Sequence, residues 1–229
     1  MTTHTKSPTS AAGFTIIELL IATSIFTLVL ILVTTGVLQF TRQYYKGVVS
    51  GQTQTVARAI IDDAAQAIQF NSGTVDPLVE NNGSKGFCIG SSKRYSYLPN
   101  YQVTDGTPDA AQFQSRFGLV SDDRPSCSGD ARDLKATNTI SGDNARELLG
   151  RNMRLVKFDI VENDGLYTVT VRVAYGDSDL LCSPTTANSC EDETSAFPLA
   201  ADDLRCRLVI GSQFCAVSEL STTVKKRVN

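Results

Sequence analysis

Gly13-Phe14-Thr15-Ile16-Ile17-Glu18 opens directly onto Leu19–Thr41, a run of 23 residues without a charged side chain. At about 1.5 Å per residue, a helix of that length crosses a hydrocarbon core of about 30 Å. Glu18 is therefore a lone carboxylate at the mouth of a candidate membrane helix. A charge at the centre of such a helix costs about 2.5–3.5 kcal/mol on insertion scales, so an acid in this position calls for a partner and a task. Scission between Gly13 and Phe14 would create an α-amino group four residues before Glu18, at a similar depth. The cut itself would supply the cation.

An ordinary secretory signal fits the segment poorly. Such signals carry about 7–15 apolar residues followed by a small-residue cleavage site, whereas here Ala11-Ala12-Gly13 precede the apolar run. A plain single-pass anchor fits the length and leaves Glu18 unexplained. Lys6 on one side and Arg42 and Lys46 on the other give no decisive charge asymmetry.

The coincidence of leader, Gly13, Phe14, Glu18 and apolar helix resembles the type IV pilin and type II secretion pseudopilin superfamily over about residues 7–45. The resemblance implies that a prepilin peptidase cuts after Gly13, leaving residues 1–13 as the leader, and that the new amino terminus at Phe14 is N-methylated. It implies that Glu18 neutralises the amino terminus of a neighbouring subunit during assembly. The implied partners are the peptidase, other pilins or pseudopilins, membrane lipid and assembly-platform proteins. The implied location is the cytoplasmic membrane with the C-terminal head outside, and then a pilus or pseudopilus. The chain's length, and the stretch from Thr41-Arg42-Gln43-Tyr44 through Asp62-Asp63-Ala64, are similar to the larger minor pilins of the PilW type and the J-type minor pseudopilins, which initiate or cap filaments.

All six cysteines, Cys88, Cys127, Cys182, Cys190, Cys206 and Cys215, follow the apolar segment, and none form a C-x-x-C. An even set in an exported domain reads as disulfides formed outside the cytoplasm. Of the fifteen or so conceivable pairings, the spacing favours Cys182–Cys190 and Cys206–Cys215, with Cys88–Cys127 by elimination; the others stay open.

No proline lies between Pro8 and Pro77, which predicts one long helix from about Thr15 to Phe70. Its first part, residues 14–41, is apolar all round. Over 42–73 a stripe at Val49, Val56, Ile60, Ala64 and Ala67/Ile68 marks one face for burial against a globular domain, and Asn71-Ser72-Gly73 is a stop signal. Residues 74–229 alternate in short runs. Met153–Val161, a turn over Glu162-Asn163-Asp164-Gly165, and Leu166–Tyr175 read as a β-hairpin. Strands are also expected at Phe87–Ile89, Arg94–Leu98, Phe117–Val120 and Leu204–Ile210, with a short helix at Asn144–Leu149. A long helix packed on an antiparallel sheet is an α+β fold.

The net charge of -3 gives no global attraction to nucleic acid. The single histidine, His4, lies in the leader, so the mature chain lacks the base of a Ser-His-Asp or Cys-His site and every histidine metal ligand. No phosphate-binding or dinucleotide-binding glycine motif occurs. Asp122-Asp123, Asp177-Ser178-Asp179, Glu191-Asp192-Glu193 and Asp202-Asp203 read as solvated loops, and Lys225-Lys226-Arg227 as a solvated tail. No catalytic residue, cofactor or metal is expected, and the chain reads as a structural assembly protein rather than an enzyme. The other reading is a filament-tip binding module, an adhesin or DNA-uptake receptor, which Tyr95, Tyr97 and Tyr101 would favour if they formed an exposed cluster.

Overall fold

The computed structural model describes residues 13–71, 74–90, 92–106, 109, 113–123, 129–137, 139–140, 144–182 and 203–227. Helix α1 runs without interruption over Ile16–Phe70, as the absence of proline leads one to expect, and passes through Gly36, Gly47 and Gly51. The chain divides into two compact units at Gln43/Tyr44. Every residue from Gly13 to Gln43 is exposed. In the second unit α1 is one-sided: Val49, Thr53, Ala57, Ile60, Ile61, Ala64 and Ile68 are buried. Steps of three and four keep these residues on one face, the face given by the stripe in the sequence.

Two antiparallel-rich sheets receive that face. The first has the order β1 (Val75–Pro77), β2 (Lys85–Ile89), β3 (Lys93–Tyr97), β6 (Leu119–Asp123), β7 (Arg146–Glu147). In the second the order is β12 (Ala216–Lys225), β9 (Leu166–Tyr175), β8 (Met153–Asn163), β4 (Gln102–Val103), β5 (Gln114–Ser115), where only the β4–β5 pair is parallel. A two-stranded ribbon joins β10 (Leu181–Cys182) to β11 (Arg205–Cys206). Ile60, Ala64 and Ile68 share one core with Phe87 and Tyr95 of the first sheet and Phe158, Val169 and Val171 of the second. Full burial of each large aliphatic side chain contributes about 1.5–3 kcal/mol. Phe87 and Phe158 meet edge to face at 4.7 Å, and the Tyr95 hydroxyl donates to Asp63 of α1 at 2.8 Å, so helix and both sheets are tied at one point. The result is an α+β fold.

The hairpin forms as its alternation requires, with Asp164 and Gly165 alone in the loop at φ 52° and 76°. Two positive φ values in a two-residue loop match the right-handed twist of the strands. Of the other expected strands, three survive with shifted ends: β2 begins earlier than Phe87, β3 spans Lys93–Tyr97, and β6 starts at Leu119.

Four expectations are corrected. Asn144–Leu149 is no helix: Asn144 has a φ of 54°, and Arg146–Glu147 pair with Ser121 and Val120 as β7. Leu204–Ile210 holds only the two residues of β11, because the Cys206–Cys215 bridge and Gly211, at φ 97°, fold the following chain back on itself. Lys225 is no tail residue but the end of β12, which pairs with β9 along its whole length; beyond it Arg227 lies over the Phe70 ring at 5.6 Å. Asp122-Asp123 is no solvated loop either, since both residues sit in β6 and Asp122 is only 1% exposed.

Glu147 shows how a short strand is held. Its carboxylate accepts the backbone N–H groups of Gly118, Leu119 and Leu149, each at 2.9 Å. Burial pushes the carboxyl up to about 7, against the downward pull of those N–H groups. With the folded value above the ordinary one, the native state holds the extra proton, so this group's contribution is greatest at low pH and declines as pH rises toward 7. Wild-type stability is expected to fall through this group by roughly 2–3 kcal/mol between about pH 4.5 and 7. Glu147→Gln should remove that slope. Denaturant unfolding of both proteins across the window checks it, and parallel profiles would refute the assignment.

Candidate functional site at the helix N-terminus

Glu18 lies at the third position of α1 and faces back to Thr15. The Thr15 backbone N–H and hydroxyl both donate to Glu18 Oε2, at 3.0 and 2.8 Å, while the Glu18 N–H donates to Thr15 Oγ1 at 3.3 Å. This is a reciprocal capping box: a Thr at the cap and a Glu three residues on satisfy donors that the first helical turn leaves open. The sequence Thr15-Ile16-Ile17-Glu18 carries the T-x-x-E signal openly, and the reading of Glu18 as an intersubunit group passed over it. The two tasks are compatible. A carboxylate has about four lone-pair sites and the cap uses one oxygen, leaving acceptor capacity for a further cation.

Gly13 and Phe14 precede the first turn. A side chain placed at Gly13 would meet nothing within 4 Å, and Phe14 is 77% exposed, so the bond between them is sterically open to a peptidase.

Beyond Glu18, the apolar side chains Leu19, Leu20, Ile25, Phe26, Leu32 and Phe40 are exposed on all sides of the helix. A helix that is apolar all round belongs inside other material, lipid or protein. By length and composition this one can span a membrane. Its hydroxyls suit that setting. Thr23, Ser24, Thr27, Thr34, Thr35 and Thr41 each donate to a carbonyl three or four residues back, at 2.7–3.1 Å. Polar hydrogens are thereby satisfied within the segment, as a medium without water demands.

In the head, Cys206 and Cys215 form a disulfide with a Cα–Cα distance of 5.7 Å, the pairing the spacing favoured. Cys88 and Cys182 are also disulfide-bonded; Cys127 and Cys190, assigned to them from spacing, lie outside the described residues, as do Glu191-Asp192-Glu193 and Asp202. Tyr95 and Tyr101 are buried, at 0% and 8% exposure, and Tyr97 is half-buried. They belong to the core and offer no aromatic binding surface. Among the described residues, no three His, Cys, Asp or Glu side chains converge as metal ligands do.

Of two buried charged groups, Arg154 escapes the sequence reading and Asp122 reads there as part of a solvated loop. Arg154 of β8 is wholly buried and donates to the carbonyls of Asn100 and Gly176, at 3.3 and 3.2 Å. Burial pushes its pKa down to about 10, partly opposed by Asp177. Asp122 sits between Arg94 and Arg132, at 2.5 and 2.6 Å. Arg154 stands between apolar residues, while Asp122, Arg94 and Arg132 stand in polar, charged stretches, so only the tertiary fold reveals their burial.

A long N-terminal helix, apolar over its first half and packed over its second on a β-sheet head, is a pilin-like arrangement. Compared with models of known families, with curated proteins and with solved structures, the chain finds no match.

Proposed function

We propose that the chain is a minor pilin or pseudopilin subunit, cut by a prepilin peptidase after Gly13 and incorporated into a type IV pilus or type II secretion pseudopilus, where it initiates or caps the filament. One observation carries the reading: the peptide bond that would be cut is sterically open and stands one turn before a carboxylate at the start of an uncovered apolar helix. In this reading the amine of Phe14 and the carboxylate of Glu18 on a neighbouring subunit set the register, and the apolar helix supplies contact area first to lipid and then to the filament core. The disulfide-bonded head supports an extracytoplasmic location. The tip-binding alternative rested on exposed tyrosines, and no observation favours it.

Co-expression with an active prepilin peptidase is expected to yield a 216-residue chain that begins with N-methylated Phe14, the 229 residues less the leader. Gly13→Val should remain uncut. An intact mass equal to the full-length chain, under a peptidase that processes a control prepilin, overturns the proposal.

A further inference from the structure

Strand β12 lies at one end of its sheet, and among the described residues its backbone hydrogen bonds go to β9 alone. The other strands at sheet ends are blunted: β1 has three residues and closes on Pro77, and β5, β7, β10 and β11 have two each. Short edges and proline are a common protection against pairing with another chain. β12 has neither. It runs for ten residues without proline, in unbroken register with β9, and such an edge is a template for an added strand.

The hairpin turn fixes which groups face outward. Asn163 and Leu166 flank its two-residue loop, which makes them a hydrogen-bonded pair. Alternation along β9 then turns the backbone of Tyr167, Val169 and Val171 toward Val224, Thr222 and Leu220 of β12. The N–H and C=O groups of Val217, Glu219, Ser221, Thr223 and Lys225 are left pointing away from the sheet. Glu219 and Lys225 are the two charged residues of the strand. Both are exposed, and both belong to the outward set.

We propose that a second copy of the chain pairs with this edge, β12 antiparallel to β12 about a twofold axis at Thr222. One register alone sets Glu219 opposite Lys225 of the second copy, and symmetry then sets Lys225 opposite the second Glu219. The same register brings Ser221 opposite Thr223 and Leu220 opposite Val224, so hydroxyl meets hydroxyl and apolar meets apolar. Because both charged residues carry outward backbone groups, the register chosen by charge is also one in which the backbones close their hydrogen bonds. Glu219 meets Arg172 of β9 through Oε2 at 3.2 Å, and a carboxylate has acceptor sites for a second cation. The surface is self-complementary, as a twofold contact requires. Within the head, Lys46 and Ser50 of α1 lie by Ala216 and Val217, and the Arg227 N–H donates to the Gln69 carbonyl at 3.4 Å, so α1 and β12 run in the same direction. The two chains therefore enter the pair from opposite ends, which sets this contact apart from side-by-side packing in a filament and makes it independent of that proposal.

The test is mild oxidation of the full chain in detergent micelles. Opposed residues of an antiparallel pair that exchange no backbone hydrogen bonds stand about 4.5 Å apart at Cα, within the reach of a disulfide. Thr222→Cys should therefore give a covalent dimer as the main species on a non-reducing gel. Thr223→Cys, two residues out of register with its own copy, should stay monomeric. Added to Thr222→Cys, Lys225→Glu should remove most of the dimer by setting like charges opposite each other, and Glu219→Lys together with Lys225→Glu should restore it. Lys225 belongs to no ion pair among the described residues, so Lys225→Glu carries the test even where Glu219→Lys loosens the fold through Arg172. A monomeric Thr222→Cys chain overturns the proposal. Equal crosslinking at positions 222 and 223, or a dimer that Lys225→Glu leaves unchanged, assigns the contact to the apolar helix or to chance collision and overturns it as well.

Discussion

Asp122→Ala is expected to lower the stability of the head by about 3–5 kcal/mol, since removing one partner of a buried ion pair leaves the other charge uncompensated. Here two charges are stranded. Arg94 grips the carboxylate with a fork, Nε to Oδ1 at 2.8 Å and Nη2 to Oδ2 at 2.5 Å, and Arg132 adds Nη2 and Nε at 2.6 and 3.2 Å. The Asp122 and Arg94 side chains are 1% and 4% exposed, and that of Arg132 is 16%, so water cannot take over. Arg94 and Asp122 stand directly opposite in the β3–β6 register, which makes the pair part of the sheet rather than an ornament on it. The measurement is the denaturant midpoint of full-length protein in detergent, with the slope of the transition unchanged. A loss below about 1 kcal/mol, the range of an exposed pair, would refute the assignment.

The same site sets an acid limit. Burial alone would raise the Asp122 carboxyl, but hydrogen bonds from Arg94 and Arg132 outweigh it and hold the group below its ordinary value. A depressed carboxyl contributes its stability above the unfolded-state value, about 3.9, and loses it as pH falls through the folded value. Wild type should therefore weaken below about pH 4, and Asp122→Ala should show a flatter acid limb. This window lies below the one in which Glu147 acts, so the two slopes, of opposite sign, can be told apart in one titration.

Glu18→Ala is expected to leave processed protein in the membrane at normal or higher amounts, because a costly ion leaves the apolar segment, while abolishing most of its recovery in sheared filaments. The capping box supplies a sharper variant. Gln is an accepted partner in that motif, so Glu18→Gln keeps the cap on Thr15 and removes only the charge. If Glu18 acts by pairing with a neighbour's amino terminus, Glu18→Gln should fail to incorporate as Glu18→Ala does. If capping is its whole task, Glu18→Gln should incorporate like wild type. Recovery of processed Glu18→Ala in filaments at wild-type levels would exclude the registry role.

How much of this was legible beforehand follows from the range of the forces involved. Periodicity within one segment declared α1 to within a residue at its start, the face that turns inward at Ile60, Ala64 and Ile68, and the hairpin around Asp164-Gly165. These features answer to contacts three or four residues apart, or to one tight turn. The short pairing of Cys206 with Cys215 was readable for the same reason. β12 was not: Ala216–Lys225 is rich in Ser and Thr, and it becomes a strand because β9 lies beside it and supplies a partner for every residue. β7 depended likewise on β6 and on the N–H groups that Glu147 reaches.

For the candidate site, Gly13, Phe14, Glu18 and the apolar run that follows them were determined by the sequence itself, since solvent preference and helix capping act locally. What only tertiary structure decided was the fate of side chains whose meaning depends on distant partners. Tyr95 and Tyr101 went to the core rather than to a binding surface. Asp122 went inside because Arg94 and Arg132 arrive to neutralise it, and Leu208 and Ile210 stayed outside on the loop that Cys206–Cys215 closes. Burial is a property of the assembled fold. Residue type states only a preference, and a preference yields wherever neighbours remote in the chain change the environment it would meet.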